Sequence, residues 1–340
     1  MIEKKLHIAS FDFEAGGHLD GIDVTYHISK ESYAPGDKVI WICHALTANS
    51  DPEDWWPQIV GPGKFFDTEK YFIACVNMLC SPYGSSGPAS IDPKSGKAYY
   101  FNFPATTIRD MINASIAVRK ELGVKNIDLL IGCSIGGFQA FEWAVAEPDV
   151  FKNVAFVATA PRISPWLSAM AEAQRMALEA DPSFRSCKDV HGGDAGLRCA
   201  RAQALITYRC HEGYGLTQAE ADPDTLFAAK AASYERYQGE KLVKRNFDAY
   251  SYKYLCDALD SHNVGRGRGG VDSALASIKA HAIVVAVDTD LIFTPRESET
   301  WRNAIPDMEY HLIRSSFGHD GFLLENEQLT RIIEPVLCKY

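Results

Sequence analysis

The sequence predicts an α/β fold: a mostly parallel sheet with helices on both faces and a helical insertion late in the chain. Three observations lead there. Short β-branched apolar runs recur along the chain, helical periodicity lies between them, and the stretch from 164 to 270 holds helical patterns without a strand.

The first 30 residues read as an antiparallel edge extension. KVIWIC (38–43) and YFIACVN (71–77) follow as strands, apolar on both faces as a buried parallel sheet requires. Thr107–Leu122 places Ile108, Met111, Ile112, Ser115 and Val118 on one helical face, with Gly123 as the stop. IDLLIG (127–132) is a strand that runs straight into a helix over Ile135–Ala146, and VAFVAT (154–159) is the next strand. Amphipathic helices are expected at 164–180, 196–210, 223–237 and 246–260. AIVVAV (282–287), EYHLIR (309–314) and a helix over Asn326–Leu337 resume the alternation. Residues 1–163 and 271–340 therefore form one core domain, and 164–270 is an insertion within it. Gly265, Gly267 and Gly270 match G-x-G-x-x-G, but a dinucleotide site needs a strand before the glycines and a helix opening on them. Here a helix precedes and a loop is expected to follow, so the run reads as a flexible linker.

A chain of 340 residues with 46% hydrophobic and 23% charged residues can bury a sizeable core. No apolar run reaches the length of a membrane span. The first residues have no signal-peptide core, which predicts a cytoplasmic protein. With 34 basic against 44 acidic residues the net charge is −10, which disfavours a nucleic-acid surface. The nine cysteines include no CxxC pair, so they read as reduced thiols and no metal site is expected.

The chemistry centres on Gly132-Cys133-Ser134-Ile135-Gly136, a G-x-S-x-G motif between a strand and a helix. So tight a turn admits only small neighbours, lifts the serine hydroxyl above the sheet and offers the Ile135 N–H to a developing oxyanion. Cys133 merely flanks the elbow. A serine nucleophile needs a base and an orienting acid, in the chain order Ser, acid, His. AIVVAV is followed by Asp288-Thr289-Asp290, and position leaves both aspartates open. EYHLIR is followed by a loop carrying His319. His281 precedes a strand and His311 lies within one, so neither faces the right edge. The first buried strand leads into Cys43-His44-Ala45-Leu46, where the Leu46 N–H is the candidate second oxyanion donor and His44 is suited to orienting the loop.

With these residues in place the chain resembles the homoserine O-acyltransferases of the α/β-hydrolase superfamily, the acetyl-CoA branch of methionine biosynthesis. The matching stretches are HALTANS (44–50), DWWPQIVGPGKFFDTEKYFIACVN (54–77), YGSSGPASIDP (83–93), FPATTIRDM (103–111), IGCSIGGFQAFEWA (131–144), RYQGEKLVKRNFDAYSY (236–252), DLIFTP (290–295) and FGHDGFLLE (317–325). The resemblance implies an α/β-hydrolase fold with a helical lid. It implies a triad of Ser134, Asp290 and His319, and oxyanion donors at Leu46 and Ile135. It also implies an acceptor site of Arg201, Tyr208 and Asp320, acetyl-CoA as co-substrate with no bound cofactor, and a homodimer joined through the lid. Arg201 and Tyr208 are seven residues apart, hence on nearly the same helical face. The family's elbow reads Gly-Gly-Ser-Met-Gly-Gly, whereas Cys133 and Ile135 stand here. Serine as acceptor, succinyl-CoA as donor, and plain ester hydrolysis are the alternatives that the same triad could serve.

Overall fold

The structure is a computed structural model and describes residues 1–338, so the last two positions of the 271–340 segment lie outside it. Eight strands form the central sheet: β1 (Ile2–Ile8), β2 (Ile22–Ile28), β3 (Val39–Cys43), β4 (Phe72–Val76), β5 (Ile127–Cys133), β6 (Phe151–Val157), β7 (His281–Val287) and β8 (Met308–Ile313). Their spatial order is β1-β2-β4-β3-β5-β6-β7-β8. The first two pairings are antiparallel, with Ile2 opposite Ile28 and Tyr26 opposite Val76, and every later one is parallel. This is the α/β-hydrolase fold, and the N-terminal hairpin supplies the expected antiparallel edge.

Alternation along the central strands divides the core. Val39, Trp41 and Cys43 face one side, with Ile108, Met111 and Ile112 of α1 (Ile108–Glu121) and Phe138 and Phe141 of α2 (Ile135–Ala146). Ile40 and Ile42 face the other, with Trp56 and with Leu329 and Ile333 of the C-terminal helix. Both faces are thus covered, which is why β3 and β4 are apolar at every position. α1 begins at a capping box between Thr107 and Asp110.

Strand β6 starts and stops earlier than VAFVAT suggests. Phe151 already pairs with Ile127, and Ala158 turns to φ +46°, which ends the strand at Val157. The insertion also differs from its expected pattern. Its helices are α3 (Pro165–Glu179), α4 (Asp194–Tyr208), α5 (His211–Gln218), α6 (Lys230–Lys244) and α7 (Ala249–Asp260), and α8 (Val271–Ala276) follows the glycines. The helix expected at 223–237 begins only at Lys230. Asp222-Pro223-Asp224-Thr225 closes a turn instead, and the Glu220 carboxylate accepts the Ala229 and Lys230 N–H groups, capping the delayed helix.

The glycine–arginine run is not the free linker its composition suggests. Arg268 ion-pairs with Glu142 of α2, Arg266 with Glu14 at 2.8 Å, and Arg109 bridges Glu14 and Glu142 at 2.9 and 3.1 Å. The arginines tie the turn to α1, α2 and the N-terminal region. A short helix follows the glycines, but α7 rather than a strand precedes them, so the dinucleotide geometry is absent. Among the described residues no helix is long and apolar enough to cross a membrane, and the cysteines whose side chains are described are free.

Candidate active site

The elbow is built by steric exclusion. Ser134 sits between β5 and α2 with φ +58°, a left-handed conformation forced on a non-glycine residue. A Cβ at Gly132 would lie 2.1 Å from the Gly136 carbonyl oxygen, and one at Gly136 would lie 2.1 Å from that of Cys43. No side chain fits at either place, and the close approach of α2 to β3 brings the Ile135 and Leu46 segments together. Among the described residues neither the Ile135 nor the Leu46 N–H is taken by a hydrogen bond. Cys133 is buried, and burial pushes its thiol far above the ordinary range, so it holds no thiolate.

His44 orients the Leu46 segment. Fully buried, it accepts the Met78 N–H at Nε2 (3.0 Å) and donates from Nδ1 to the Ala45 carbonyl (2.9 Å). Burial lowers its pKa to about 4, so it stays neutral and keeps this tautomer. In a trans peptide the N–H points opposite to the C=O. Holding the Ala45 oxygen therefore aims the Leu46 N–H the other way.

Across the sheet edge, Asp290 accepts the Ile292 and Phe293 N–H groups at Oδ1 (2.7 and 3.1 Å), and its Oδ2 meets His319 Nδ1 at 2.7 Å. Asp288 is engaged elsewhere: it accepts the Ser315 N–H at 3.0 Å and lies 3.4 Å from Arg314. The carboxylate that meets His319 is therefore that of Asp290. His319 is buried and flanked by the rings of Phe322 and Phe293, at 5.3 and 5.5 Å. Burial opposes its charged form. The charge and hydrogen bond of Asp290, with the charge of Asp320, outweigh that and raise its pKa above the ordinary 6.5. A base must be neutral to work, so the acid limb of kcat/KM is expected above pH 6.5, activity rising as pH climbs through it. Asp290→Asn should move that limb down in a pH–rate profile of the residual activity, because burial then acts with less opposition. A limb that stays in place would assign it to another group.

Ser134, Leu46, Arg201, Tyr208, His319 and Asp320 line one pocket of about 130 Å³. Asp290 stands behind His319, and Ile135 opens the helix behind Ser134. Oγ of Ser134 and Nε2 of His319 share the pocket without a hydrogen bond between them, a looseness common at such sites without substrate. Arg201 and Tyr208 do project together from α4, the guanidinium carbon 5.5 Å from the ring centroid. Burial raises the Tyr208 pKa to about 12, so it is a neutral hydroxyl. Arg201 Nη1 is buried and has no hydrogen-bond partner. A buried cationic donor left unpaired is costly and calls for an anion. Sequence reasoning passed over Phe322 and Leu323, which wall the pocket, and Arg209, whose Nε lies 3.1 Å from Asp320 Oδ2. FGHDGFLLE and TYRC carried these residues, but only their neighbours had assigned chemistry.

A family model described as the alpha/beta hydrolase fold matches residues 38–186. Over 325 residues the chain is 40% identical to a homoserine O-acetyltransferase of Cyclobacterium marinum, covering 96% of this chain and 92% of that one. A homoserine O-acetyltransferase of Bacillus anthracis has the same fold at a TM-score of 0.90 and 23% identity, over 99% of this chain and 98% of that one. Esterase E22 reaches 0.88, also at 23% identity, over 99% of each chain. Transferase and esterase thus share this architecture, and the fold by itself does not choose between transfer and hydrolysis.

Proposed function

The chain belongs to the homoserine O-acetyltransferase family of the α/β-hydrolase superfamily, and from that premise we propose that it carries an acetyl group from acetyl-CoA to the hydroxyl of L-homoserine, in methionine biosynthesis, through an acyl-Ser134 intermediate. Nε2 of His319 takes the Ser134 proton as Oγ attacks the thioester carbonyl. The oxyanion rests on the Leu46 and Ile135 N–H groups, the C–S bond breaks, and CoA leaves with the proton from His319. His319 then takes the proton of the homoserine hydroxyl as its oxygen attacks the acyl carbon; the acyl–Oγ bond breaks and Ser134 Oγ leaves with that proton from His319, restoring the free enzyme. Asp290 keeps the Nδ1–H tautomer throughout.

The observation that carries this reading is the buried Arg201 Nη1 without a hydrogen-bond partner, on a residue that lines the same small pocket as Ser134 and Asp320. A cation and a carboxylate lining the same pocket as the nucleophile suit a zwitterionic α-amino acid, with Arg201 and Tyr208 on its carboxylate and Asp320 on its ammonium group. An esterase that delivers water needs neither. Transfer outpaces hydrolysis when the acceptor hydroxyl is held at the acyl carbon, since positioning supplies a large effective concentration. The inserted segment is the lid in this reading, and its exposed Ile206 and Leu216 on helices and Leu226 and Phe227 on the loop before α6 suit the homodimer implied by the resemblance. A cytoplasmic location belongs to the same reading.

Arg201→Ala is expected to cut kcat/KM for homoserine roughly 10²-fold, the usual scale for losing a charge-assisted pair. The burst of CoA release should survive, because acylation does not use the acceptor clamp. Arg201→Lys should restore only part, since an ammonium lacks the planar fork. Stopped-flow CoA release beside acceptor titration checks this. A burst slowed as much as steady-state transfer rules out the clamp, and wild type that turns over acetyl-CoA equally fast with and without homoserine supports the esterase instead.

A further inference from the structure

We propose that Arg209 is a positioning residue for the acceptor: it keeps Asp320 a carboxylate and turns it toward the pocket, where it takes the acceptor's ammonium group. This deepens the homoserine reading and rests on it.

The geometry begins with the corner between α4 and α5. The Cys210 thiol donates to the Ser316 carbonyl at 3.0 Å. A Cβ on Gly213 would lie 2.5 Å from the same oxygen, and one on Gly318 (φ +64°) would lie 2.7 Å from the Arg209 carbonyl carbon. The corner is therefore pressed onto the loop that bears His319 and Asp320. Arg209 leaves this corner with Nε 3.1 Å from Asp320 Oδ2 and its guanidinium 6.0 Å from the Phe317 ring.

The charges that face Asp320 come from several elements: Arg209 from the corner, Arg201 from α4, His319 beside it on its own loop, and Asp290 from the loop after β7. Tyr208 is also near but neutral. Burial pushes the Asp320 carboxyl up, and Arg209 is the largest charge opposing that shift. Arg201 cannot take over the task if it is to hold the acceptor's carboxylate. With a zwitterion bound the site becomes an alternating series: Arg201, substrate carboxylate, substrate ammonium, Asp320, Arg209. Each buried charge then has a partner of opposite sign. Without Arg209 the series ends on an unsupported carboxylate, which a proton satisfies at the expense of the ammonium group.

The test is the pH dependence of KM for homoserine in full-length wild type, Arg209→Gln, Arg209→Lys and Arg209→Gln/Asp320→Asn, over about pH 5.5 to 7.5, below the α-amino titration. Arg209→Gln is expected to raise KM at least about tenfold at the acid end, the loss falling away as pH rises and Asp320 deprotonates. Wild type and Arg209→Lys should stay nearly flat. The double variant should have a high KM without pH dependence, so the two changes are non-additive. The His319 titration appears in kcat and in the CoA burst, which separates it from Asp320. A KM for Arg209→Gln that is unchanged, or raised equally at every pH, overturns the proposal. If Arg209→Gln does not fold, a steep pH-dependent KM in Arg209→Lys, whose charge is retained, would overturn it as well, and a flat one supports it. Wild type that fails to transfer to homoserine sinks the acceptor reading, whereas wild-type transfer with a pH-flat Arg209→Gln sinks only the role of Arg209.

Discussion

Ser134→Ala is expected to remove both CoA release and acyl transfer, a loss on the order of 10⁶-fold in kcat if the serine is the nucleophile. Alanine places no new bulk in the elbow and meets the same φ of +58°, so circular dichroism and the melting temperature should change little. The loss then belongs to chemistry. Incubating wild type with acetyl-CoA and no acceptor should leave one acetyl group on the Ser134 peptide, read by mass spectrometry. The neighbouring thiol is the natural competitor, since thioesters exchange readily with thiolates. Cys133, however, packs with Ile131 and Val157 on the face of the sheet covered by the C-terminal helix, and its thiol is held protonated by burial. Acetyl label on Cys133 would overturn the nucleophile assignment.

Asp290→Asn should cost about 10³ to 10⁴ in kcat, whereas Asp288→Asn should cost less than about tenfold. The reason lies in how Asp290 is held. Its Oδ1 accepts two backbone N–H groups, from Ile292 and Phe293. An asparagine in the same site must keep its carbonyl oxygen there, so its amide nitrogen faces His319 Nδ1. The imidazole then accepts at Nδ1 and carries its proton on Nε2, the nitrogen that receives the Ser134 proton in the proposed mechanism. Asp288 supports the loop after β8 through the Ser315 N–H, and an asparagine oxygen can keep that bond. Steady-state kinetics of the two variants decide the matter. The reverse ranking would show that the acid lies two residues earlier in the chain.

The elbow was the most legible part of the site because its causes are local. A strand, a serine between small residues and an immediate helix are a sequence pattern, and a Cβ on Gly132 would meet the Gly136 carbonyl that the same turn brings within 2.1 Å; the Cys43 carbonyl that crowds Gly136 comes from β3 and belongs to the tertiary structure. The strand runs were legible for the same reason, since a sheet covered on both faces needs an unbroken apolar strand. Helical phase put Arg201 and Tyr208 on one face, and there the guanidinium and ring lie.

Other features depended on which segments meet. Asp288 and Asp290 share one short turn, and only the docking of the loop after β8 brings one of them to His319. Arg266 and Arg268 read as linker charges until Glu14 and Glu142, remote in sequence, close around them. The late start of α6 follows from a carboxylate outside the helix, Glu220, taking two N–H groups that periodicity does not register. Arg209 gained its meaning from Asp320 across the corner of α4 and α5. By itself the sequence determined the fold class, the elbow and the types of residue the chemistry needs, because steric limits and side-chain periodicity act over a few residues. The tertiary structure decided which carboxylate meets the histidine and which buried arginine nitrogen in the pocket has no hydrogen-bond partner. Ion pairs and hydrogen bonds form between whatever groups the folded chain brings within about 3 Å, and that proximity is not written in the residues around either partner.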